Sequence, residues 1–421
     1  MEPDERRAVI AHELGHIVHY DFAVMAVATT LLQILYEVYV WTRNIGGMRK
    51  KTHEEKLKEM KRARKRDKGG FVPLLIIALV SYVFYIIGRY IVLYLSRVRE
   101  YYADEFAAKK TSPMALASAL VKVAYGIVEA PDDYESRRLL RSTETLGIMN
   151  ERVARAGVAF SEIIRRDPYR LGKVVAWDLY SPWAFILELG STHPLTGKRI
   201  VRLLEMAGRP VHVPKPDVGK MYRQFAADIL SYSAYIVFPV IGIIVAALIV
   251  STMTNKSTQG IMEFFGGIMM GLGAALYFRK TYKYPGGEAK YTTIAKLLED
   301  PYASPMRGKR VVLNGKVVGR GIPNQLFCED VIVKDSTGII TANYESPLLS
   351  FGNLFFAVTK VDSLIGKDVR IEGWYFRGVA PRIDLHRITN GETIESCPYN
   401  IPLYSGIALF LLGILFIVMS L

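Results

Sequence analysis

Cysteine is nearly missing: the 421 residues hold two, Cys328 and Cys397, with no CxxC pair. That excludes a zinc ribbon and a thiol redox motif, and both thiols are expected to be free. No secretory leader is predicted ahead of the first motif. Acidic excess is missing too, since the formal net charge is +14. Most telling is the lack of charge over long stretches. Phe22–Trp41 carries only Glu37, Phe71–Leu95 only Arg89, Ala226–Ser251 only Asp228, Gly260–Phe278 only Glu263, and Pro402–Leu421 nothing. Each is about the 20 residues a membrane-crossing helix needs, so five spans are predicted. Burial inside a soluble core is the alternative. It fits poorly for Ala226–Ser251 and Pro402–Leu421, which show no polar side; for Phe22–Trp41 it is a real alternative.

Against that background the stretch "RRAVIAHELGHIVHYDF", residues 6–22, stands out. Helix periodicity puts His12 and His16, four apart, on one face, where both can hold one metal ion. Glu13 sits beside them, placed to take a proton from an attacking water. This HExxH spacing is that of zinc peptidases. By composition, such a pentad arises by chance in roughly one chain of this length in a hundred. The other faces of this helix are apolar. The polar trio is therefore half buried and needs partners, which a metal supplies.

Zinc needs a third protein ligand. A metzincin continuation would place a glycine and a histidine where His19 and Phe22 stand, so that ligand is sought further on. The next polar cluster after the apolar hairpin is "SRVREYYADEFAAKK", residues 96–110, with Glu100 and Asp104 again four apart. One carboxylate can bind zinc while the other orients a ligand histidine. Two spans that go out and back return the chain to the side it left. His12, His16 and Glu100 would then meet at one membrane surface.

These pieces, with "STHPLTGKRI" at 191–200, resemble the HtpX and CAAX-prenyl-protease family of integral-membrane zinc endopeptidases over residues 1 to about 206. The resemblance implies a gluzincin-like helical core with one Zn2+ per chain. It implies His12, His16 and Glu100 as ligands, Glu13 as catalytic base and Asp104 supporting a ligand. It also implies that His193 and Arg199 face the active site, where they could hold substrate or the oxyanion. Such proteins carry membrane helices and an edge strand before the HExxH helix. The eleven residues ahead of His12 leave no room for either: the chain is a natural short form or its start is placed too late, and substrate positioning is open in both cases.

The predicted organisation is a peptidase domain at 1–225 with a membrane hairpin at 22–41 and 71–95, a two-helix hairpin at 226–278, a β domain at 291–390 and a last span at 402–421. "DLYSPWAFILELGSTHP" is expected to pack the His193 loop against the zinc site. Gly267 and Gly271 form a GxxxG that permits close helix contact, with ordinary glycine enrichment as the alternative. "KRVVLNGKVVG", "EDVIVKDSTGIITANY" and "KDVRIEGWYFRG" read as strands of a small antiparallel, OB-like barrel. Without a row of basic and stacking residues, the expected partner is a protein and not nucleic acid. The basic block Arg43–Lys68 suits anionic lipid headgroups.

The positive-inside rule would place that block in the cytoplasm and the zinc site outside. The resemblance implies a cytoplasmic site in a multi-pass protein of the cell membrane, which is the expectation followed here. The expected function is cleavage of unfolded or membrane polypeptides. The alternative is a non-proteolytic membrane adaptor whose β domain binds a partner.

Overall fold

A computed structural model describes residues 2–45, 71–120, 168–254, 261–321 and 327–419. The basic block beyond residue 45, the middle of the 111–225 segment and most of the loop after Thr254 lie outside the described residues. The chain divides into two compact units, one of Arg6–Ser112 with Glu188–Pro194, the other of Met1–Glu5, Pro113–Leu187 and Leu195–Leu421.

The first unit is helical. Helix α1 (Pro3–Val18) opens with proline and two acids in its first turn, as a helix N-terminus favours. It stops where Tyr20 takes a positive φ of 53°, a backbone that non-glycine residues adopt reluctantly. Helix α2 (Asp21–Ile45) starts at the next residue. It pairs with α3 (Phe71–Lys110), which runs 40 residues from the apolar stretch into the polar cluster at 96–110. Gly88 admits the Leu32 side chain between these two helices, since a Cβ there would stand 3.0 Å from it. Near the far end, rings of Tyr36 and Tyr85 lie 5.2 Å apart, and those of Tyr39 and Tyr82 5.0 Å. Tyrosine favours the membrane–water boundary, where its ring is buried and its hydroxyl stays wet.

The second unit joins helices to the β domain. Helices α4 (Pro168–Tyr180), α5 (Pro182–Leu189), α6 (Thr196–Met206) and α7 (Val218–Leu230) precede α8 (Ala234–Thr254) and α9 (Ile261–Lys283). The buried Asp178 of α4 binds the Gly197 amide at 3.1 Å and the Arg377 guanidinium of the β domain at 3.3 Å. Strands β1 (Lys290–Tyr291) to β7 (Glu392–Glu395) form one sheet, in which β2 (Lys309–Arg320) pairs with both β3 (Val331–Lys334) and β5 (Asp368–Phe376). With β4 (Ile339–Asn343) next to β3 and β6 (Arg382–Asn390) linking β4 to β5, five strands close a ring. A bulge between Val317 and Gly319 bends β2, so its first part serves β5 and its last part β3. Inward positions Val311, Leu313, Val333, Ile340, Ile371 and Leu385 fill the interior. The three quoted runs become β2, β3–β4 and β5. The expected purely antiparallel arrangement is corrected at two places, β1–β2 and β4–β6, which pair in parallel. Strand β6 carries the alternation "RIDL", a signal the quoted runs passed over.

Among the described residues, four helical stretches are long and apolar enough to cross a membrane: Asp21–Arg43, Ile76–Lys110, Val218–Thr252 and Asn400–Val418. Helix α9, over the expected span 260–278, falls outside that set. Its glycines serve packing. A Cβ on Gly267 would stand 2.6 Å from the Ile243 Cα of α8, and one on Gly271 would overlap the Phe238 carbonyl. The opposite side of α9 meets α13 (Asn400–Val418) the same way, with a Gly273 Cβ 2.5 Å from the Gly406 carbonyl. The GxxxG is a contact seam, as small residues at helix interfaces allow. Gly271→Leu should therefore destabilise the chain by about 1–3 kcal/mol, seen as earlier thermal unfolding in detergent. Gly286→Ala, where a Cβ meets nothing within 4 Å, should leave the midpoint unchanged. Equal midpoints for the two variants would rule out the seam.

Candidate metal centre

Helix α1 presents His12 and His16 toward α3, and Gly15 lets the two backbones approach, since a Cβ there would stand 3.0 Å from the Ala103 Cα. His12 is 2% exposed, and Glu100 is also buried. The Nε2 atoms of His12 and His16 lie 3.3 Å apart. Glu100 Oε2 is 3.8 Å from His12 Nε2, and its Oε1 is 3.7 Å from His16 Nε2. One donor atom from each of these three residues falls within 4.8 Å of the others. A tetrahedral zinc with bonds of about 2.1 Å separates its ligands by about 3.4 Å, so two imidazoles and a carboxylate at these spacings fit that ion.

The other ring nitrogens each face a carboxylate. Asp104 Oδ1 lies 3.0 Å from His12 Nδ1, and Asp21 Oδ2 lies 2.5 Å from His16 Nδ1. Each carboxylate orients its imidazole with Nε2 toward the centre. Arg99 pairs with Asp21 Oδ1 and donates to the His19 carbonyl at 2.6 Å, which ties the turn after α1 to α3. Glu13 is half-buried beside the ligands, its Oε1 shut off from solvent. His193 reaches the same place from the Glu188–Pro194 segment, its Nε2 3.5 Å from Glu100 Oε1. The buried Arg97 holds that segment, donating to the carbonyls of Glu188 at 2.6 Å and Ser191 at 2.8 Å. Ser96 adds a bond to the Thr192 carbonyl at 2.9 Å.

A profile of peptidase family M48 matches residues 1–207, the stretch that supplies every one of these groups. Residues 1–207 are similar to peptidase family M48. A protease HtpX homologue of Methanocaldococcus jannaschii is 30% identical over 209 residues, covering 50% of this chain and 58% of that protein. One from Aquifex aeolicus is 29% identical over 211 residues, covering 49% and 55%. A third, from Syntrophobacter fumaroxidans, is 34% identical over 135 residues, covering 31% and 43%. The chain thus spans about half the length of these curated relatives. No solved structure matches it.

Of the residues expected in the M48 site, His12, Glu13, His16, Glu100, Asp104 and His193 fall together in one unit. Arg199 lies on α6 in the other unit and is fully buried there. Asp21, Arg97 and Arg99 were missed. A signal for Asp21 existed: with Asp104 assigned to one ligand histidine, the second still needed a carboxylate, and Asp21 is the next acid after it. Asp21→Asn should weaken zinc binding about 10- to 100-fold, and Asp104→Asn similarly, measured by competition with a chelator of known affinity. Unchanged affinity in both would mean that these carboxylates do not support the ligands.

Proposed function

We propose that the chain is a membrane-bound, zinc-dependent endopeptidase that hydrolyses peptide bonds in unfolded or membrane polypeptides. The reading rests above all on the M48 donor set of His12, His16 and Glu100, gathered within 4.8 Å beside Glu13. His12, His16 and Glu100 would hold one zinc ion, with Asp104 and Asp21 fixing the two imidazoles. When bound, zinc supplies Lewis-acid polarisation of the scissile carbonyl and lowers the pKa of water. Glu13 takes the proton of the attacking water and passes it to the leaving amine. His193, beside Glu100, offers an N–H to the developing oxyanion. Arg199 is assigned the same task on resemblance alone.

The proposed domains are 1–225 for the peptidase, 226–278 for a membrane hairpin, 291–390 for the β domain and 402–421 for the last span. The β domain is read as an OB-type, protein-binding barrel. A closed five-strand ring with one parallel pair, and a helix between its third and fourth strands, supports that reading. The protein is placed in the cell membrane as a multi-pass protein, its active site on the cytoplasmic side. No nucleic-acid partner is proposed.

Cleavage of an unfolded model protein by the detergent-purified chain tests the activity. Glu13→Gln should lower kcat/KM by about 100- to 10,000-fold while the zinc content stays at one per chain. Chelation should abolish cleavage and added zinc restore it. A zinc-loaded native chain that cuts no faster than Glu13→Gln would remove the peptidase reading for that substrate.

A further inference from the structure

The β domain carries an apolar surface that its own core leaves uncovered. Helix α11 (Leu349–Thr359), "LSFGNLFFAVT", contains no charged residue. Its inner face is fixed on the barrel. Phe356 stacks on Tyr344 with ring centroids 3.7 Å apart, and a Cβ on Gly352 would overlap the Ser346 hydroxyl. The Asn353 side chain accepts from the Ser346 amide at 2.6 Å and donates to Glu329 at 3.1 Å. The helix therefore cannot roll its other side inward. That side is a stripe of large apolar residues at helical spacing: Leu348 77% exposed, Phe351 87%, Phe355 66% and Val358 53%. Contiguous surface of this kind marks an interface more often than plain solvent exposure.

Its position says which one. The segment just before α11 is stitched to the start of α13, a helix long and apolar enough to cross a membrane. The Cys397 amide donates to the Glu345 carbonyl at 2.7 Å, the Ser396 hydroxyl accepts from the Glu345 amide at 2.9 Å, and Asn400 Nδ2 donates to the Pro347 carbonyl at 3.3 Å. The first turn of α11 is thus held beside the first turn of α13. Leu349, with a φ of 57°, turns the chain from that stitched segment into the helix. Where α13 meets the bilayer, the apolar stripe is delivered to the same surface.

We propose that α11 is an interfacial membrane helix. Its Phe351 and Phe355 rings enter the headgroup and upper acyl region beside the last span and clamp the barrel against the bilayer. An amphipathic helix buries its apolar face to this shallow depth, and phenylalanine gains from the transfer. The proposal stands apart from the zinc site and does not need the chain to be a peptidase.

The test uses the full-length chain in lipid nanodiscs, with Cys397→Ser to silence the half-buried thiol. An environment-sensitive fluorophore is attached at Phe355→Cys, at Phe351→Cys, or at Ser336→Cys on the exposed β3–β4 hairpin at the other end of β4. Labels at 355 and 351 should emit to the blue and lose most of their emission to lipids spin-labelled near the headgroup. The label at 336 should keep a water-like spectrum and stay unquenched. If positions 355 and 351 match 336 in colour and quenching, the helix faces water and the proposal is overturned. A blue-shifted label that spin-labelled lipid does not quench would mean that protein, from a partner or a second copy, covers the stripe, which also overturns it. Both phenylalanines are exposed, so replacing them leaves the barrel core intact and either position decides the matter.

Discussion

One buried and one half-buried imidazole, with two buried carboxylates within a few ångströms of them, are a demand that the surrounding fold must meet. Each of those groups would be costly alone in a protein interior. Here every one faces a complementary charge or donor, and the geometry leaves a centre of the right size for a dication. Much of the first unit follows from meeting that demand. Helix α1 must approach α3 closely, hence Gly15 against Ala103. The chain must turn sharply after Val18 so that Asp21 comes back under His16, hence the left-handed backbone at Tyr20. The turn in turn must be held, which Arg99 does from α3.

What could be read from the residues was what depends on local spacing. Two histidines four apart, and two acids four apart, define helix faces without knowledge of anything else, and the fold brings His12, His16 and Glu100 within 4.8 Å of one another. The β domain was legible for the same reason, because alternation of β-branched residues is a local signal. What escaped depends on the third dimension. Asp21 is five residues from His16 and would point elsewhere on a continuous helix; only the break at Tyr20 brings it round. Arg97 and Arg99 look like ordinary basic residues at a membrane boundary, and their acceptors, the Glu188 and Ser191 carbonyls for Arg97 and His19 and Asp21 for Arg99, are distant in sequence. The parallel pairing of β4 with β6 has no local marker at all, since it depends on how the ring closes.

The two readings of glycine make the same point. Gly267 and Gly271 announced a possible seam through their spacing, and the helix packed against them is α8. Gly273, which faces α13, carried no such announcement.

Helix α3 has no break between its apolar stretch and the turn that bears Glu100 and Asp104. At about 1.5 Å per residue its 40 residues make a rod of about 60 Å. Such a rod acts as a lever arm. A tilt of the apolar stretch would be carried along this one helix to the turn that bears Glu100 and Asp104, the carboxylate beside His12.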